Sequence, residues 1–236
     1  MSTVISSVKL HLNKRAATFL VPLYIVGVVA VVSILISLVF WRSGSTPGSA
    51  GWVQGSQSNP GLLYALVGFL VYLGVQSVGT TFPFALTLGA TRRDFVTGTL
   101  LWDAITAAYL AVILAVLNVL EIATNHWFAG FYIFDIYVLG AGDPARLLLI
   151  VFLGTLTALT IGGVFAAAWV RFGARGPQLV GIGLFLVILI LLIVVVPEAA
   201  AIANAFQLWW LAVAAVITIV AACTGTWLLL RPAIVR

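Results

Sequence analysis

Asp103 stands inside a long apolar run, eight residues past Phe95, which is on the order of 12 Å along a helix. An ionisable side chain at such a depth is costly unless paired or wet, and is a functional candidate by default. Two roles fit it: a structural pairing, with Arg171 or Arg175 as partner, and a part in transport or proton exchange. Gln76, Ser77, Thr80 and Thr81 form a polar patch in an earlier apolar run, and Thr155, Thr157 and Thr160 punctuate a later one. Residues of this kind hydrogen-bond one membrane helix to another, or line a path between them. Arg92, Arg93 and Asp94 fall between two apolar runs, where guanidinium groups suit carboxylates and backbone carbonyls.

Other chemistries lack their parts. A serine hydrolase needs a histidine within reach of a buried serine, yet His11 and His126 both lie outside the apolar runs, on opposite sides of the membrane. Cys223 is a lone cysteine in the last run; it has no internal disulfide partner, and no cluster has metal-ligand spacing. The sequence has no G-x-x-x-x-G-K-(S/T) loop to cradle nucleotide phosphates, so any ATP hydrolysis belongs to another chain. The reading is of a non-enzyme with no metal and no nucleic-acid partner. Its net charge of +5 and pI near 9.8 follow from membrane orientation instead.

The elements that must position these residues are membrane helices. Hydrophobic residues make up 63% of the 236, charged residues 7%, and mean hydropathy is +1.23, whereas about a quarter of a soluble domain is charged. Six apolar stretches, 17–41, 61–82, 95–120, 147–170, 178–196 and 206–230, approach or exceed the roughly 20 residues that a helix needs to cross about 30 Å of hydrocarbon. Barrel strands would alternate over about 9–11 residues instead. The expectation is one all-α membrane domain over 1–236. The first run extends for about 24 residues, too long for a signal-peptide core of about 7–15, and is expected to remain as the first crossing.

Six crossings put Lys9, Lys14, Arg15, Arg92, Arg93, Arg171, Arg175, Arg231 and Arg236 on one side, and only Arg42 and Arg146 on the other. This bias makes the two ends and the second and fourth connections cytoplasmic. Residues 1–16 carry Val4, Ile5, Val8 and Leu12 at near-helical spacing, as in a helix lying on the cytoplasmic leaflet; a frayed tail or a short strand is the alternative. The Gly, Ser and Pro-rich residues 42–60 read as a flexible outer loop. In 121–146, Trp127, Phe131 and Phe134 share one helical face, as in a short interfacial helix that anchors at the headgroups or gates a substrate.

Between the second and third runs, Pro83 can kink or end a helix, Gly89 permits a tight bend and Thr91 can cap the next turn. The result is a short cytoplasmic elbow, either a turn with stop-transfer charges or a rigid lever. Its phrase FPFALTLGATRRDFVTGTLL resembles the first cytoplasmic loop of bacterial ABC exporter permeases of the type-2 family. These commonly read Leu-Gly-x-(Ser/Thr)-Arg-(Arg/Lys)-x-(Phe/Tyr)-x-x-Gly, matched by Leu88, Gly89, Thr91, Arg92, Arg93, Phe95 and Gly98. The second cytoplasmic loop, Arg171 to Pro177 with Arg175, is similar to the arginine, aromatic and glycine that end the fourth helix there.

The resemblance implies a coupling helix over Gly89, Ala90, Thr91, Arg92, Arg93, Asp94 and Phe95, seated in a cleft of a separate ABC ATPase subunit that binds ATP and Mg. It also implies pairing with a second copy or a similar permease, and a pathway near the second and fifth helices lined by Gln76, Ser77 and Thr80. The short connection at 197–206 departs from relatives that carry re-entrant helices there. The expectation is the membrane subunit of an ATP-driven exporter in a bacterial cytoplasmic membrane. The alternative is a proton-coupled secondary transporter or channel using Asp103.

Overall fold

The computed structural model describes residues 3–13 and 15–233. Lys14 and Arg236, counted above on the basic side, lie outside the described residues, as do Met1 and Ser2 of the segment 1–16. The helices are α1 (Thr3–Leu12), α2 (Val21–Arg42) entered through one wider π-type turn (Ala16–Leu20), α3 (Ala50–Gln57), α4 (Gly61–Gly79), α5 (Thr81–Thr87), α6 (Arg92–Ala123), α7 (Pro144–Phe172), α8 (Arg175–Val195), α9 (Ala199–Ala205) and α10 (Trp209–Leu230). None of the described residues forms a strand.

Among the described residues, six helical runs are long and apolar enough to cross a membrane: Ala16–Arg42, Ala50–Thr87, Arg92–Ala123, Pro144–Phe172, Arg175–Val195 and Trp209–Leu230. The chain is a multi-pass, all-helical membrane protein. Two helices begin earlier than their apolar runs because polar residues cap them. Thr91 accepts from the Asp94 amide at the start of α6, and Asp143 accepts from the Ala145 and Arg146 amides at the start of α7. Each cap satisfies amides that a helix start leaves without partners.

α7 is the central helix, with α4, α6 and α10 against it. It meets α4 backbone to backbone: a Cβ on Gly74 would strike the Leu159 carbonyl, and one on Gly162 the Val71 carbonyl. Small residues give membrane helices this approach, where dispersion and packing replace the hydrophobic drive. The main core joins Leu66, Leu70 and Leu73 of α4, Leu110 and Leu114 of α6, and Val151 and Leu159 of α7. α8 is different. It touches α7 at its base, where Gly176 lies against the Ala168 backbone, and beyond that point its apolar side chains are exposed.

Three loop and end expectations change. α1 is a helix whose buried side is Ser7, Val8 and His11, with Ile5 exposed; it seats on α6 because Gly98 has no side chain to fend off Ser7. The stretch 42–60 holds α3, anchored by buried Trp52, whose indole donates to the Gly130 carbonyl at 2.7 Å. In 121–146 no helical face forms from Trp127, Phe131 and Phe134. Asn125, His126, Trp127 and Phe128 instead take left-handed φ of 52, 57, 58 and 61°, and the chain then turns inward to bury Ile133, Phe134, Ile136 and Leu139. Phe128 and Tyr137 stay exposed.

Candidate functional site

Pro83 explains the break between α4 and α5 that precedes the elbow. Its ring conflicts with the carbonyl four residues back, which is Gly79, the last residue of α4. α5 carries the chain one short stretch further, and the Gly89 and Ala90 amides close it onto Leu86 and Ala85 at 3.0 Å each. Gly89 bends back at φ +82°. Thr91 then donates to the Asp94 carboxylate at 2.8 Å and accepts from the Asp94 amide at 3.1 Å. The connection is thus only residues 88–91. Gly89, Ala90 and Thr91 lie in it, whereas Arg92, Arg93, Asp94 and Phe95 form the first turn of α6, so 89–95 is no separate helix.

The two arginines of this turn part company. Arg93 is exposed. Arg92 reaches across to the end of α10 and donates to the carbonyls of Leu230 (3.3 Å), Arg231 and Ala233 (2.8 Å). Arg171 comes from α7 to the same end, donating to the Leu228 carbonyl at 3.3 Å with its guanidinium 4.8 Å from the Phe172 ring centroid. Arg175 is exposed at the start of α8. Phe95 is fully buried, edge to face with Phe82 at 5.1 Å. Beside the elbow, Leu88 is 65% exposed at the rim of a cleft of about 340 Å³ shared with Lys9 and Asn13.

Gln76 and Thr80 line a groove of about 610 Å³ between α4, α7 and the start of α8, together with Val75, Phe165 and Trp169. Gln76 donates to the Tyr72 hydroxyl at 3.0 Å and Thr80 to the Gln76 carbonyl at 2.8 Å. Ser77 lies on the other face, buried, and donates to the Gly74 carbonyl. The groove therefore brings together two of the three residues read as lining.

Asp103 is 3% exposed. No ion pair among the described residues reaches it, and the expected pairing with Arg171 or Arg175 does not form, since both arginines sit at the helix ends below. Its Oδ1 has no hydrogen-bond partner. It faces a cavity of about 20 Å³ with Thr99, Thr160, Cys223 and Thr226. Behind Thr99 is His11, its Nε2 3.0 Å from the Thr99 hydroxyl and its ring stacked on Trp102 at 5.0 Å. Sequence placed His11 outside the crossings, and only the docking of α1 brings it here.

Sequence reasoning also passed over Glu121. Its side chain is fully buried and accepts from the amides of Ile133, Phe134 (2.8 Å) and Asp135 (3.1 Å) and from the Trp127 indole (3.0 Å). Asp135 in turn holds His126 at 3.0 Å and Gln57 at 3.1 Å. The available signal was an acid at the very end of an apolar run. This latch borders a cavity of about 720 Å³ lined by Ser33, Ser37, Trp52, Asn59 and Tyr132.

Among the described residues, no group of three or more His, Cys, Asp or Glu could hold a metal ion. No protein-family model, curated protein or solved structure matches the chain.

Proposed function

We propose that the chain is the membrane subunit of an ATP-driven exporter, working beside a separate ABC ATPase and paired with a second copy or a similar permease. The observation that carries this reading is the construction of the elbow. Its turn is four residues long, rigidly closed on both sides, and presents Leu88 and Arg93 to the aqueous side. Through Arg92 it is bonded to the end of α10. A push at 88–93 would therefore reach α6 and α10 together instead of being absorbed by a loose loop. The groove holding Gln76 and Thr80 is the matching stretch of pathway, and the motif shared with type-2 permeases supports the same assignment.

A partner drives a conformational change only through different affinity for the two states, so the elbow must contact the ATPase differently in each. The test is reconstitution with the ATPase. Arg93→Glu should uncouple hydrolysis from transport while thermal unfolding stays unchanged. Full coupling in that variant counts against the lever. The double change Arg92→Glu with Arg93→Glu also strikes the end of α10 and is the harsher control.

Asp103 favours a second reading, a proton-coupled secondary transporter or channel. Such a carrier would move solute without nucleotide and lose transport on Asp103→Asn. An ATP-driven permease would move none without its ATPase.

A further inference from the structure

The oxygens around Asp103 accept hydrogen bonds and have few protons to give. Thr160 donates its hydroxyl proton to the Leu156 carbonyl at 2.8 Å, and Thr99 donates to the Phe95 carbonyl at 2.9 Å. Each therefore has only lone pairs left for the cavity. Asp103 adds a buried carboxylate oxygen with no partner, and Thr226 adds a third hydroxyl. Arg92 and Arg171 are engaged with the α10 carbonyls. The titratable groups facing the cavity from the packed helices are Cys223 of α10 and, behind Thr99, His11 of α1. A carboxylate among acceptors in a bilayer needs either a proton of its own or a positive partner.

We infer that Asp103, with the hydroxyls of Thr160 and Thr226, binds a single sodium ion that ties α6, α7 and α10 together. The size fits: the cavity of about 20 Å³ exceeds the roughly 10–15 Å³ that one water-sized particle needs. The donor set fits as well. All three ligands are hard oxygens carrying one negative charge in total, so a monovalent ion leaves the site neutral. Calcium or magnesium beside a single carboxylate would leave net positive charge buried. Zinc prefers nitrogen and sulfur, of which Cys223 alone is at hand. This site stands whether or not an ATPase drives the protein.

The test uses the full chain in detergent without any ATPase. Thermal unfolding is followed at about pH 8.5, where protons compete less for a carboxylate, in sodium chloride against choline chloride at constant ionic strength. Wild type should gain on the order of 3–5 °C in Tm per tenfold rise in sodium once the site is half filled. Asp103→Asn should melt at one temperature in both salts. Thr226→Val keeps the carboxylate and should need more sodium for the same gain, which serves if Asp103→Asn does not fold. Equal wild-type melting in both salts overturns the site, because a proton or a water then satisfies the carboxylate. A sodium gain that survives unchanged in Asp103→Asn or in Thr226→Val overturns it too.

Discussion

Arg92, in the first turn of α6, and Arg171, in the last turn of α7, close on one helix end. Arg92 donates to the carbonyls of Leu230, Arg231 and Ala233, and Arg171 to that of Leu228. The last carbonyls of a helix have no partner within it and form the negative pole of its dipole. Two guanidiniums satisfy both needs, and α10 becomes bonded to the first turn of α6 and the last turn of α7.

Removing this clamp should loosen α10 at that end without touching the exposed surface of the elbow. Arg92→Ala loses charge-assisted bonds worth about 1–3 kcal/mol, so it should lower Tm and speed amide exchange in residues 228–233. Arg93→Ala, at an exposed side chain, should change neither. Equal exchange in the two variants would show that the α10 end is held by something else.

Backbone contact between α4 and α7 makes a sharper claim about glycine. Gly74→Ala and Gly162→Ala would drive a methyl into carbonyls of the facing helix, whereas Gly68 and Gly154 have open space around the same position. Overpacking of this kind costs about 1–3 kcal/mol or more. The first pair should therefore lower Tm or the yield of monodisperse protein, and the second pair should behave as wild type.

Glu121 holds the outer segment by accepting from three amides and an indole. Glu121→Ala leaves those donors buried without a partner, at about 1–3 kcal/mol each. Limited proteolysis should then cut within 125–142 while the membrane helices stay protected. An uncut segment would mean that Ile133, Phe134 and Ile136 hold it through apolar packing alone.

What the bilayer constrains was legible in sequence. Six crossings follow from hydropathy and length, because the hydrocarbon sets both. Thr91 was readable as the cap of α6 for a local reason: its side chain meets an amide three residues on. The target of Arg92 was not readable, since it depends on where α10 ends in space. The same holds for His11, which reaches Thr99 only after α1 has docked beside Gly98. α3 and the outer segment escaped because one indole and one carboxylate organise them, and neither leaves a periodic pattern.

Tyr132 lies outside the crossings, between the outer cavity and the Glu121 latch, stacked on His126 at 3.9 Å. Burial, and then the negative charges of Asp135 and Glu121, hold its hydroxyl above the ordinary value of 10.0. The fold therefore favours the neutral phenol. The contribution to stability is complete below about pH 10, where the unfolded chain also keeps the proton, and is lost as pH rises through the higher folded value. Tyr132→Phe has no proton to lose at this position. Thermal melts of the two proteins at increasing pH should run parallel up to about pH 10, after which wild type should fall faster than the variant. Curves that stay parallel throughout would mean that the phenol titrates in the folded protein as it does in water, and that the charges of Asp135 and Glu121 do not reach it.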